Sequence, residues 1–281
     1  MTGPDVSDWQ TFLKIQGLYD GIVDGAFGPK SDGSTRNYQT RAGLAVDGVV
    51  GPRTLARAIQ DGYKSTTGAS LAGMDTRVNC ARAAKNIAAA GMKFVARYYS
   101  HVTAKTLTPA EAQSVSNAGV EIVAIFQDLN NSADLFSSDA GALHAARALA
   151  LASGIGQPAG TAIYFAVDFD PKAPQIQGPV LDYFKAVRKA LSAAPIQYAV
   201  GVYGSGLTCR LIRDSGCAKF TWLTCSAGYQ EYAAFRPHAD IVQLAPERTI
   251  LPAVPIDDNI AQSANFGSFR LGQRQAAANR A

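Results

Sequence analysis

From residue 73 onward, short runs rich in β-branched and aromatic residues alternate with longer Ala-rich runs, and this alternation constrains the fold more than any other feature. The strand-like runs fall at 73–76, 93–99, 120–127, 161–168, 198–204, 219–225, 241–245 and 254–259. Stretches such as 81–90, 109–118, 139–153 and 175–193 have helical length and spacing. A strand followed each time by a helix returns in the same direction, so repeated βα units predict a parallel sheet. Eight units predict an α/β chain closed as a (β/α)8 TIM-like barrel. The span of about 200 residues is short of the roughly 250 usual for that architecture, so the last helices are expected to be reduced or missing. An open doubly wound sheet is the alternative.

The first sixty residues follow another rule. Val23-Asp24-Gly25-Ala26-Phe27-Gly28-Pro29 returns as Val46-Asp47-Gly48-Val49-Val50-Gly51-Pro52, one unit used twice. Asp-Gly suits a tight turn with positive φ, and Gly-Pro suits the start of a helix. With a helical run at Trp9–Lys14, the pattern predicts three short helices in a small all-α domain. The expected division is 1–62 for this module, 63–72 for a small-residue linker, 73–270 for the barrel and 271–281 for a tail that frays.

Leu18-Tyr19-Asp20-Gly21, the two Asp-Gly-x-x-Gly-Pro turns and Tyr38-Gln39 resemble the three-helix peptidoglycan-binding domain over residues 5 to 62. The resemblance implies that Asp24, Asp47 and Arg53 border a groove for wall glycan or stem peptide. The residues alone also allow both aspartates a purely structural role in their turns. Ser34-Thr35 stand where the family carries apolar residues, and a looser core is expected there.

The net charge of +4 is small and scattered, with no Lys/Arg block of the kind that marks nucleic-acid binding. No apolar run is long enough to insert in a membrane. Met1-Thr2-Gly3-Pro4-Asp5 has neither the basic nor the apolar part of a signal peptide, so release by phage holins or a secretion apparatus is expected. Cys80, Cys209, Cys217 and Cys225 form no C-x-x-C pair and read as structural thiols; a Cys209–Cys217 disulfide stays open for an oxidising compartment. His101, His144 and His238 sit in no metal-binding spacing. No metal, no cofactor and a monomer are expected.

In a parallel barrel, active sites gather at the C-terminal strand ends. Here those ends carry Asp75, Arg97-Tyr98-Tyr99, Gln127-Asp128, Asp168-Phe169-Asp170, Tyr203 and Asp257-Asp258-Asn259. Asp168 and Asp170 are two apart on one strand, which predicts both carboxyls in one pocket. Glycoside hydrolysis needs one protonated and one ionised carboxyl, and crowded acids split their pKa values in that way. The spacing does not choose between retention and inversion.

Gly73-Met74-Asp75, Phe94–Tyr99, Ala166–Asp170, Gly201-Val202-Tyr203-Gly204 and Ile256–Asn259 together resemble the bacterial glycoside-hydrolase-like barrel family related to family 25 lysozymes, from about residue 73 to 266. The resemblance implies a muramidase acting on the peptidoglycan glycan strand at the bacterial cell wall or in the periplasm. Asp170 would be the proton donor and Asp168 its ionised partner, with Asp75 and Asp257 shaping the field. Tyr99, Tyr203, Arg97, Gln127 and Asp258 would bind sugar. Family 25 lysozymes carry Asp-x-Glu where this chain has Asp168-Phe169-Asp170. One methylene less retracts the carboxyl by roughly 1.5 Å, and a misplacement of 1 Å costs about a hundredfold in rate. The alternative is a barrel that grips glycan without cutting it.

Overall fold

A computed structural model describes residue 2 and residues 4–63, 71–250 and 254–272. The N-terminal module contains α1 (Pro4–Ile15), α2 (Pro29–Arg41) and α3 (Pro52–Gln60). Prolines open all three helices, where a missing N–H costs nothing. Trp9, Phe12, Tyr38 and Tyr63 stack around one core, joined by Ile260 from the barrel. Thr35 does not loosen that core. It is fully buried, accepts a hydrogen bond from the Trp9 indole at 2.9 Å and donates to the Ser31 carbonyl at 2.7 Å. The rest of the expected linker, 64–70, lies outside the described residues, as do 273–281 of the tail.

The second part comprises β1 (Leu71–Asp75), α4 (Ala84–Ala89), β2 (Phe94–Tyr99), α5 (Pro109–Asn117), β3 (Glu121–Phe126), α6 (Ser138–Ile155), β4 (Ala162–Ala166), α7 (Ala173–Gln175), α8 (Leu181–Ala193), β5 (Ala199–Gly204), α9 (Gly206–Asp214), β6 (Phe220–Leu223), α10 (Tyr232–Phe235), β7 (Ile241–Ile250) and β8 (Val254–Ala261). The strands close a barrel in chain order. It is not the expected (β/α)8 TIM-like barrel. β1 to β7 pair in parallel, but β8 is antiparallel to both β7 and β1, so the barrel is mixed. The cause is the last connection. Only 251–253 separate β7 from β8, whereas a parallel return needs a crossover of a dozen or more residues.

Along each strand the side chains divide by parity. Outward ones such as Val95, Ile163 and Phe165 meet the helices. Inward ones pack as rings, Phe94, Tyr164, Phe220 and Trp222, together with Phe266 from beyond β8. Gly73 and Gly201 make room for them, since a Cβ would lie 2.3 Å from the Phe94 ring or 2.4 Å from that of Tyr164. The segment after β8 closes the end of the barrel away from Asp75. Tyr164 donates to the Phe266 carbonyl at 2.8 Å, and Ala162 N–H to that of Gly267 at 2.8 Å.

Candidate active site

At the other end the inward positions turn polar around a cavity of about 380 Å³. Asp75 ends β1 and is 2% exposed. Its Oδ2 accepts from Asn259 Nδ2 at 2.7 Å and Gln243 Nε2 at 2.9 Å, and the Tyr98 hydroxyl donates to Oδ1 at 3.4 Å. Burial pushes its pKa up to about 7, with the Asp257 charge adding and the hydrogen bonds opposing.

Both amides are oriented from behind. Gln243 Oε1 accepts from the Tyr203 hydroxyl at 2.8 Å and from Cys225 N–H at 3.3 Å, so its NH₂ must face the acids. Asn259 Oδ1 accepts from the Trp222 indole at 2.9 Å, which fixes that amide in the same sense. With two donors on Oδ2, a proton on Asp75 belongs on Oδ1, the oxygen beside Tyr98.

Asp257 faces Asp75 across the β1–β8 register. Gln243 Nε2 also reaches its Oδ2 at 3.3 Å, so one amide nitrogen bridges a carboxyl oxygen of each acid. Burial raises the Asp257 pKa, helped by Glu247 and Asp258 and opposed by Arg77. Asp168 enters the same cavity from the loop after β4, open to solvent but crowded at its flanks. Burial raises its pKa too, against Lys105 and a 3.0 Å hydrogen bond from Gln127 Nε2. Tyr203 lines the cavity as well.

Asp170 is not brought to Asp168. β4 stops at Ala166, so the alternation that would align the two acids does not persist, and both Asp170 oxygens accept from Gln230 N–H at 3.1 and 3.2 Å. Arg97 and Tyr99 are on the outer face of β2. Arg97 pairs with Glu111 of α5 at 2.6 Å, both side chains wholly buried, and Tyr99 donates to Gln157 at 2.8 Å. They are packing residues, and Tyr98 between them is the inward one. Asp258 is buried on the face of β8 opposite to Asp257.

Sequence reasoning named Tyr98 and Asn259 at strand ends without giving either a role, and passed over Gln243, Trp222, Lys105 and Arg77. Two had a signal. Gln243 is a lone polar residue in an apolar strand run, and Tyr98 shares parity with Phe94 and Ala96. Lys105, in a loop, had none.

In the module, Gln10 and Gln39 do one job twice. Gln10 Oε1 accepts from Asp24 and Gly25 N–H, and its Nε2 donates to Asp24 Oδ1 at 2.8 Å. Gln39 does the same with Asp47 and Gly48, at 2.7 Å to Asp47 Oδ1. Gly25 and Gly48 take φ of 70° and 72°. Each aspartate also accepts from the N–H two residues on, and these hydrogen bonds hold both below the usual carboxylate range. Asp24 and Asp47 are thus engaged within their own turns, while Arg53 is exposed on α3.

Residues 85–261 match the family model described as the Rv2525c-like, glycoside hydrolase-like domain. The chain belongs to this family. Ahead of that domain, residues 2–57 match the putative peptidoglycan binding domain. The chain is 29% identical over 216 residues to the uncharacterized protein YbfG of Bacillus subtilis strain 168, covering 72% of this chain and 29% of that one. The N-terminal part is 45% identical over 53 residues to the N-acetylmuramoyl-L-alanine amidase CwlM of Mycobacterium tuberculosis, covering 19% of this chain and 13% of that one. The Tat-secreted Rv2525c of Mycobacterium tuberculosis, solved with L-tartrate, superposes with a TM-score of 0.60 at 23% identity. The match covers 70% of this chain and 98% of that one and shows the shared fold of the glycoside hydrolase-like domain. The chain spans no more than about a third of the curated relatives YbfG, FadG and CwlM.

Proposed function

We propose that this chain is a peptidoglycan glycosidase of muramidase type, working at the bacterial cell wall, whose helical module holds wall polymer near the barrel cleft. The observation that carries the reading is the convergence of Asp75, Asp168 and Asp257 on one cavity, with Asp75 shifted to about 7 by burial. Asp75 then serves as the acid. Its Oδ2 is occupied by two amides, so its proton sits on Oδ1 and passes to the leaving glycosidic oxygen. Asp168, three strands round the barrel, is the ionised partner that stabilises or attacks the oxocarbenium carbon. Asp257 supplies the neighbouring charge that keeps Asp75 protonated. Asp170, assigned this proton by sequence, becomes a positioning residue that ties the loop after β4 to Gln230. The spore cortex-lytic enzymes and the amidase CwlM, similar to the N-terminal part, support a wall address by name.

A second reading, a barrel that binds glycan without cutting it, is favoured by the 2% exposure of Asp75 and by the engagement of Asp170 outside the cavity. One experiment separates them. The chain and its Asp168→Asn and Asp75→Asn variants are incubated with purified sacculi, and fragments are read by reducing-end labelling and mass spectrometry. New reducing N-acetylmuramic acid ends, lost in both variants, support the muramidase. Sedimentation with sacculi and no released ends selects the binding protein. Neither release nor sedimentation removes both readings.

A further inference from the structure

The cavity that would cut sugar also contains cations that a neutral sugar would not use. Lys105 is on the loop between β2 and α5, and that loop is built rather than slack. Asp128, just after β3, accepts from the Ser100 hydroxyl at 2.7 Å and His101 N–H at 2.9 Å. Thr106 donates back to the Ser100 carbonyl at 2.9 Å, and Leu107 N–H to that of Tyr98 at 2.9 Å. The Lys105 Nζ is thereby presented 4.8 Å over the Tyr98 ring, half-buried and lining the cavity.

Among the described residues no carboxylate comes within ion-pair distance, 4.0 Å, of Lys105. Burial lowers its pKa, while Asp128 and Asp168 act on it only from further away. Arg77, exposed beside Asp257 at the same cavity, is likewise outside ion-pair distance of any described acid. A partly desolvated ammonium with no close anion is costly to the fold, and a ligand carboxylate would remove the cost. Its placement over an aromatic ring offsets part of it in the free protein.

We propose that the cleft selects an amino sugar bearing a carboxylate-containing substituent, such as peptide-substituted muramic acid, over a neutral hexosamine, and that Lys105 receives the carboxylate. The inference rests on the glycan-cleft reading above. A charge-assisted contact of this kind is worth on the order of tenfold in affinity.

The probe is N-acetylglucosaminyl-N-acetylmuramyl tripeptide, which has no bond for a muramidase to cut, titrated calorimetrically against the full chain in native and carboxyl-amidated form. The expected result is about tenfold tighter binding of the native probe. Lys105→Gln should bind both forms alike, at the weaker level, and Lys105→Arg should restore the preference. Lys189→Gln, an exposed change of equal charge on α8, should keep it. Equal affinity of the wild type for both forms, or a preference that survives Lys105→Gln, overturns the assignment of Lys105 and leaves the glycan cleft standing. A Lys105→Gln chain that keeps the preference and shifts only the pH profile of hydrolysis assigns Lys105 to holding Asp168 ionised, and also overturns it. Binding of neither probe overturns the glycan-cleft reading with it.

Discussion

Glutamine is used in two ways in this molecule. In the helical module, Gln10 and Gln39 spend their amides on turn backbone and on the aspartate of the same turn, and nothing is left to act on a ligand. At the barrel mouth, Gln127 and Gln243 spend theirs on carboxylates that face a cavity. Polar groups are well satisfied in both places, but in the first the network ends in backbone and in the second it ends in titratable oxygen. A buried network therefore marks structure or chemistry according to what terminates it.

The largest effect that would break this contrast is on turnover. Asp168→Asn should lower release of reducing ends from sacculi by about 10²–10⁴-fold, the usual worth of a positioned proton-transfer or charge-stabilising group. Its thermal midpoint should hold or rise, because the ionised form is disfavoured where it sits. A parallel loss of stability would make Asp168 a structural residue like those of the module.

Arg97→Met tests a buried charge outside the mouth. It strands Glu111 in the core and should cost about 3–5 kcal/mol in urea unfolding. Activity per folded molecule should not change, and a selective loss of activity would return Arg97 to the site.

The pH dependence of stability sharpens the comparison further. Asp75 titrates at about 7 when folded and near 3.9 when unfolded, so between those values the folded chain holds a proton that the unfolded chain has released. Its contribution to stability is therefore greatest at low pH and falls as pH rises through 7, by up to about 4 kcal/mol. Asp75→Asn should flatten that fall in urea melts taken from pH 4 to 8. An unchanged slope would remove the elevated pKa.

The smallest effect is in the module. Gln39→Ala deletes the amide that holds the second turn and should cost about 2–3 kcal/mol locally, read as faster hydrogen exchange at Asp47 and Gly48 N–H. Hydrolysis of soluble glycan fragments should be unaffected.

Much of this arrangement was legible in the chain. The repeated Asp-Gly-x-x-Gly-Pro turns declare themselves because turn geometry is local. All eight strand runs were readable too, because β-branched clusters between Ala-rich stretches need no tertiary context. The closure of the barrel was misjudged at its last step. Asp257 does reach the mouth, but as an early residue of an antiparallel strand rather than at the end of a parallel one. On β2, Arg97 and Tyr99 were assigned to the site, whereas only the parity of Tyr98 between them faces inward.

The sequence alone determined the turns, the element order and the presence of an acid-rich strand-end set, since each depends on neighbours along the chain. Tertiary structure alone decided which acids meet. Asp75 and Asp257 are far apart in sequence and meet through a register between first and last strands, while Asp168 and Asp170, two residues apart, are separated because the strand ends before them. Strand direction, parity and burial are properties of the closed barrel. They set the dielectric around Asp75 and thereby its pKa, which no local pattern encodes.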